Sequence, residues 1–310
     1  MKSKIWIALL ALYIVWGSTY LAIRFTVETI PPFLSGGLRF LVSGAILFIW
    51  QRSVGEAMPS KSHWKATAIV GIFLLLGGNG LVSLAEKTVP SGIAALIIAT
   101  APFWLVLFEA FRSGGAKPAW QSILGLVIGF SGVFLLIGPA EITGAKQQLD
   151  TFGVIVLLIA PILWSAGSIY ARGADMPKSS FTSMGMQMLA GSVSLFIVSV
   201  LTGELNGFSF GDVSMRSWWG LIYLITFGSL IGFVSYGWLL LNAPISLTST
   251  YAYVNPVVAV FLGWLLADEA LSARIAIATA IIIGSVIMIN WARQVKVKTE
   301  PLQSAAAAEK

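Results

Sequence analysis

Trp16–Arg24 reads WGSTYLAIR, and 148 positions later Trp164–Arg172 reads WSAGSIYAR: a tryptophan, a small polar centre and an arginine at the same spacing. The same offset carries Phe33, Ser35, Gly37, Leu41, Leu47 and Phe48 onto Phe181, Ser183, Gly185, Leu189, Leu195 and Phe196. A loop six residues longer shifts the offset to 154, which then takes Trp64, Gly78, Pro90 and Pro102 onto Trp218, Gly232, Pro244 and Pro256. Ordered matches over so much of the chain mark a duplicated unit.

Composition says what each unit is made of. The chain is 57% hydrophobic and 10% charged, with a mean hydropathy of +0.88, whereas soluble domains run at about 25% charged. Its apolar residues fall in ten blocks, at about 5–25, 32–52, 65–86, 89–111, 119–138, 151–171, 180–202, 217–241, 244–267 and 273–292. A bilayer core about 30 Å thick needs about 20 apolar residues per helix at a rise of 1.5 Å. The expected fold is an all-α membrane protein of ten transmembrane helices, as two five-helix repeats, 5–138 and 150–292, with a cytoplasmic tail, 293–310. Five is odd, so the second repeat enters the membrane from the opposite face. Such inverted repeats build a site near the midplane and can exchange conformations to alternate its access.

With a cytoplasmic N-terminus, thirteen of the nineteen Lys and Arg lie on the cytoplasmic side, five lie opposite, and Arg39 falls inside a span. The bias predicts both termini in the cytoplasm. It also explains the net charge of +6 as loop charge, without a nucleic-acid partner. Most tryptophans fall near helix ends, as an interfacial belt requires, but Trp16, Trp104 and Trp164 lie deep. The basic, apolar start MKSKIWIALLALYIVWGSTY lacks a small-residue cleavage site and reads as a retained first helix. There is no cysteine, hence no thiolate chemistry, and the single histidine, His63, sits in a charged loop. No P-loop, H-E-x-x-H or G-x-S-x-G signature appears. No enzyme activity, cofactor, metal or ATP drive is expected.

Pro102 and Pro256 are repeat mates, each about midway along its block. Proline removes a backbone donor and frees the carbonyl four residues back, Ile98 or Ala252. In lipid that carbonyl must face protein or water. Two such breaks at matched depth, beside Thr100, Tyr251, Tyr253 and Asn255, predict a hydrated cavity with the prolines as gating kinks. The alternative is a pair of packing kinks filled by neighbouring hydroxyls.

Embedded polar residues supply the other candidates. Trp16, Thr19 and Tyr20 share the first block; Trp164 and Ser168 repeat the arrangement in the sixth, beside Pro161. Tyr236 and Ser229, seven apart, make a similar stripe in the eighth. Aromatic faces beside hydroxyls suit small amphipathic solutes; ordinary core packing is the bland reading. Asn79, Ser83 and Glu86, at i, i+4 and i+7, share one helix face, as pathway or as interhelical hydrogen-bond glue worth about 1 kcal/mol. Arg39, whose repeat mate is Gln187, is a functional candidate because an intramembrane charge is costly. It is expected to form a structural or gating ion pair with Glu86 or Glu28, the alternatives being direct substrate contact or snorkelling outward. Gly125/Gly129 and Gly228/Gly232 are small-xxx-small packing pairs. Glu269 is expected to favour the start of the last helix and to pair with Arg274.

YIVWGSTYLAIR, GLRFLVSG, GNGLVSLAEKTVPSGIAALIIATAPF and TSTYAYVNPVVAVFLGWLLADEAL resemble, in order, the EamA branch of the drug/metabolite transporter superfamily, and within it the bacterial YedA-type members. The resemblance covers about residues 5–292. It implies ten helices in two EamA repeats, cytoplasmic termini, and export of small metabolites, amino acids or toxic compounds across the bacterial inner membrane. By motif position it points to Trp16, Asn79, Thr100, Tyr251 and Asn255 as cavity residues. The partners implied are a small-molecule substrate and the lipid bilayer, for a monomer or weak homodimer. An uptake or exchange facilitator of the same fold and a non-transporting membrane scaffold are the rival readings.

Overall fold

The computed structural model describes residues 2–111, 120–137, 149–243 and 250–308. Pro244, the repeat mate of Pro90, lies outside these ranges, as do Arg112, Lys117, Lys146 and Lys310 of the charge count. All regular structure in the described residues is helical. The chain opens with α1 (Lys2–Thr26), α2 (Pro32–Ser53) and α3 (Lys61–Gly71). Helix α3 passes into a π-helical stretch, Ile72–Gly80, and then into the short α4 (Leu81–Ala85). Next come α5 (Ser91–Ile98), α6 (Ala101–Phe111), α7 (Trp120–Ile137), α8 (Thr151–Ala171) and α9 (Ser180–Leu201). Helix α10 (Met215–Tyr223) runs through a second π-helical stretch, Leu224–Ile231, into α11 (Gly232–Asn242). Helices α12 (Tyr251–Leu266) and α13 (Ala273–Ala308) complete the order.

Among the described residues, seven helical stretches are long and apolar enough to cross a membrane, and three shorter apolar helices, Trp120–Leu136, Tyr251–Leu266 and Ala273–Ile289, fall in the remaining apolar blocks. The last helix continues to Ala308, whereas the sequence reading ends it near 292 and leaves a solvated tail.

Several helices begin with their own caps. Asp150 accepts from Gly153 N at 2.8 Å at the start of α8, and from Thr88 Oγ1 at 2.8 Å. The Thr88 hydroxyl first, and the Gly153 amide second, hold the Asp150 carboxyl below the usual carboxylate range. Ser179 and Ser214 cap α9 and α10 in the same way.

By contrast, α2 and α5 start after Pro31 and Pro90 with no side-chain cap of their own. Their free amides are met from distant loops. Glu204 accepts from Phe33 N and Leu34 N at 3.1 and 2.9 Å. Glu269 accepts from Ser91 N and Gly92 N at 2.6 and 3.0 Å. A carboxylate at a helix N-terminus satisfies orphan donors and meets the positive end of the helix dipole. This corrects the expectation for Glu269: it serves α5 and not the last helix. Its proposed partner Arg274 instead donates to Leu135 O at 2.7 Å and to Leu136 O, where the C-terminal carbonyls of α7 lack helical donors.

Glycines let helices approach closely around the centre. A Cβ at Gly37 would come within 2.7 Å of the Phe196 ring, and one at Gly44 within 2.8 Å of Met188 Cβ, so α2 and α9 touch almost backbone to backbone. Gly125 likewise seats against Ser285 and Ile289 of α13, and Gly129 against Phe103 and Ser285.

Candidate substrate cavity

Each half of the chain places a tryptophan against a glycine contributed by the other half. Trp164 of α8 lies on Gly78 in the first π stretch, where a Cβ would stand 2.7 Å from the ring. Trp16 of α1 lies on Gly232, at the end of the second π stretch, closely enough that a Cβ there would collide with the indole. Trp16 Nε1 also donates to Gly228 O at 3.1 Å. Its ring meets Tyr251 at 5.1 Å between centroids and 88°, Phe233 at 5.3 Å and 67°, and Tyr236 at 5.3 Å and 39°. Edge-on and tilted arrangements of this kind are the favoured ones for aromatic pairs. The indole is thereby fixed.

The two prolines are accommodated differently. Ahead of Pro102 the chain breaks: α5 ends at Ile98, Ala99 and Thr100 form a turn, and α6 restarts at Ala101. Proline near the first position of a helix costs no hydrogen bond. Ser165 Oγ of α8 donates to Ala101 O at 2.9 Å and ties the break to the neighbouring helix. Pro256 lies inside α12, in its second turn, because the described helix begins only at Tyr251. Gly17 of α1 packs on α12 there: an added Cβ would stand 2.6 Å from Val258 Cβ and 3.2 Å from Asn255 O, so only glycine fits without a shift.

Between these elements lies a cavity of about 170 Å³, far larger than the roughly 10–15 Å³ one water needs. Its wall includes Trp16, Thr19, Tyr20, Asn79, Trp164, Tyr251 and Asn255, together with Arg39, Pro102 and Pro256. Apolar and aromatic walls with a few polar groups are the usual make-up of small-molecule sites. Asn79 Nδ2 donates to Leu74 O at 3.3 Å, stitching the π stretch on which it sits. The Oδ1 of Asn255 is buried without a hydrogen-bond partner among the described residues.

Four candidates stand elsewhere. Thr100 is 2% exposed and donates to Ile97 O at 2.6 Å, closing the helix break. Ser168 donates to Trp164 O at 2.7 Å within its own helix. Tyr236 stands behind Trp16 and supports it. None of the three lines the cavity. Glu86 is fully buried outside the cavity wall, and among the described residues neither carboxylate oxygen has a hydrogen-bond partner. Arg24 donates to the Glu86 backbone carbonyl and to Lys87 O, the latter at 2.9 Å.

The expected Arg39 ion pairs do not form. Glu28 pairs with Arg216 at 3.3 Å, and the Glu86 carboxylate accepts no bond. Arg39 turns inward instead and donates from Nε to Ser229 Oγ at 2.9 Å. Sequence reasoning also passed over Phe233 and the alanines Ala95, Ala99 and Ala160 of the wall. Small apolar residues in an apolar helix carry no signal. Among the described residues, no three His, Cys, Asp or Glu side chains come together to hold a metal.

The comparisons agree on what such an assembly is. A model of the EamA-like transporter family matches residues 3–138 and 151–291. The Escherichia coli K12 inner membrane transporter YedA is 37% identical over 285 residues, 91% of this chain and 89% of its own length. The Bacillus subtilis transporter YoaV is 23% identical over 294 residues, 92% of this chain and 96% of its own. A solved crystal structure with 22% identity superposes with a TM-score of 0.64 over 94% of this chain and 99% of that one, which supports the fold. A buried aromatic cavity among apolar helices, in a chain matched almost end to end, makes this protein a membrane transporter belonging to the EamA-like transporter family.

Proposed function

We propose that the protein exports small amphipathic metabolites, amino acids or related compounds, from the cytoplasm by alternating access through the central cavity. In this reading, units 5–138 and 150–292 are inverted five-helix repeats spanning the bacterial inner membrane, with both termini cytoplasmic. The observation that carries it is the matched wall: Trp16 with Trp164 and Pro102 with Pro256 enclose one cavity. Further support comes from packing that follows the sequence offsets. Trp16 on Gly232 corresponds to Trp164 on Gly78, and Gly17 at Asn255 O corresponds to Ser165 at Ala101 O. The two π stretches also fall in corresponding helices. Rocking one half against the other about the kinks at Pro102 and Pro256 would open the cavity to one face and then the other. The inner-membrane setting is supported by the E. coli relative named above.

The test is flux in liposomes of the purified protein. Asn255→Ala is expected to lower uptake several-fold with insertion intact; absence of flux for any amphipathic solute would favour the scaffold reading. Exchange or facilitated diffusion is the second reading, favoured because no carboxylate is among the described residues lining the cavity. Counterflow that survives collapse of the proton gradient supports it, and a strict pH-gradient requirement opposes it.

A further inference from the structure

Arg39 sits two turns into α2, is 5% exposed, and forms part of the cavity wall. Its Nε is engaged with Ser229 Oγ, and its guanidinium carbon lies 4.7 Å from the centroid of the Phe40 ring. Among the described residues, neither terminal amino group donates to a protein acceptor, and no carboxylate stands within ion-pair distance. Of the acidic groups, Glu28 is on Arg216, Glu204 on the start of α2 and Glu269 on the start of α5, while Glu86 is buried outside the cavity wall and makes no ion pair with Arg39 among the described residues. Nη2 packs closely beside Gly228, where an added Cβ would stand only 3.2 Å from it, so the glycine seats the guanidinium.

A charge taken out of water without a counterion costs several kcal/mol. The chain nevertheless retains one here and holds it in a single orientation. A guanidinium fixed through Nε presents its two terminal amino groups as a planar fork, the geometry that grips an oxyanion bidentately. We infer that Arg39 is the anion anchor of the cavity and that the cargo is a small organic acid whose carboxylate, or a comparable oxyanion, docks on its terminal amino groups. Trp16 and Trp164 then take the apolar remainder of the cargo. The inference rests on the transport reading above and narrows its substrate class. The shared chemistry covers zwitterionic and simply anionic acids alike.

The test uses acid–amide pairs of equal shape: phenylacetate with phenylacetamide for a simple anion, and phenylalanine with phenylalaninamide for a zwitterion. The full-length protein in detergent is melted with each compound, and liposome uptake of each is measured. An acid is expected to raise the melting temperature and to be transported where its amide is not. Arg39→Gln is expected to weaken acid binding at least tenfold, since a hydrogen bond to a charged group contributes about 1.5–3 kcal/mol. Arg39→Lys should restore part of it. Should Arg39→Gln fail to fold, Ser229→Ala keeps the charge but frees its orientation, and is expected to weaken acids several-fold while leaving amides unchanged. Amides binding as tightly as acids, an acid preference that survives in the variants, or no acid-dependent shift at all would overturn the anchor. Uptake of the amides alone would do so while leaving the transport reading standing; no uptake of any compound would remove the transport reading itself.

Discussion

The indole nitrogen of Trp16 donates to the carbonyl of Gly228 at 3.1 Å, joining α1 to the π-helical stretch of a helix more than two hundred residues away in sequence. A π turn shifts backbone partners by one residue and opens carbonyls to outside donors, which is why such stretches recur at functional sites. Trp16→Phe keeps an aromatic six-membered ring but removes the donor and the volume of the pyrrole ring. It is expected to lower stability by about 1 kcal/mol and to slow liposome flux. Trp16→Ala should reduce flux further without blocking membrane insertion. Normal flux in both variants would take Trp16 out of the site.

The seats beneath the two tryptophans are equally specific. Gly78→Val and Gly232→Val would drive a side chain into Trp164 and Trp16. Overpacking of this kind costs about 1–3 kcal/mol. Both variants are expected to melt earlier than Gly211→Val, where an added Cβ meets only Ser209 Oγ at 3.5 Å; equal melting would show loose seats.

Glu204 and Glu269 stand in for missing caps on α2 and α5. Glu204→Gln and Glu269→Gln remove the charge and are each expected to cost about 1 kcal/mol, read as a lower melting temperature in detergent. Glu56→Gln, whose carboxylate makes no ion pair among the described residues, should change it by less.

Glu86 has the opposite character. Among the described residues its buried carboxylate accepts no hydrogen bond, so an amide in its place loses none. Glu86→Gln is expected to leave the melting temperature unchanged or raise it. A loss above about 3 kcal/mol, the size expected on breaking a buried ion pair, would reveal a partner.

Asp150 gives a pH dependence with a definite sign. Its folded carboxyl titrates below its ordinary 3.8, chiefly through the Thr88 hydroxyl and then the Gly153 amide. A depressed acid contributes stability above the unfolded value and loses it as pH falls through the folded one. The melting difference between wild type and Asp150→Asn should therefore be present at neutral pH and fade below pH 3.8.

Much of the cavity was legible in the chain. Trp16, Asn79, Tyr251 and Asn255 stood out because polar and aromatic residues are conspicuous in apolar helices, and all four line it. Thr100 and Ser168 stood out for the same reason, yet their hydroxyls turn back onto Ile97 O and Trp164 O. A hydroxyl one turn from a free carbonyl has a local partner in reach, and composition cannot tell that bond from a solute contact. Arg39 was legible as a costly charge, but its partner was not: side-chain reach allows Glu86, Glu28 or Ser229, and only packing selects Ser229.

By itself the sequence determined that this is a helical membrane chain built from a repeated pattern, because apolar run length and spacing follow from bilayer thickness and helical rise. Tertiary structure alone decided which glycine each tryptophan rests on, which helices turn π, which distant carboxylates cap α2 and α5, and that Arg39 faces the cavity. Those outcomes depend on how close two helices can come and which donors are left over when they do. Such quantities belong to pairs of surfaces and are written in neither segment alone.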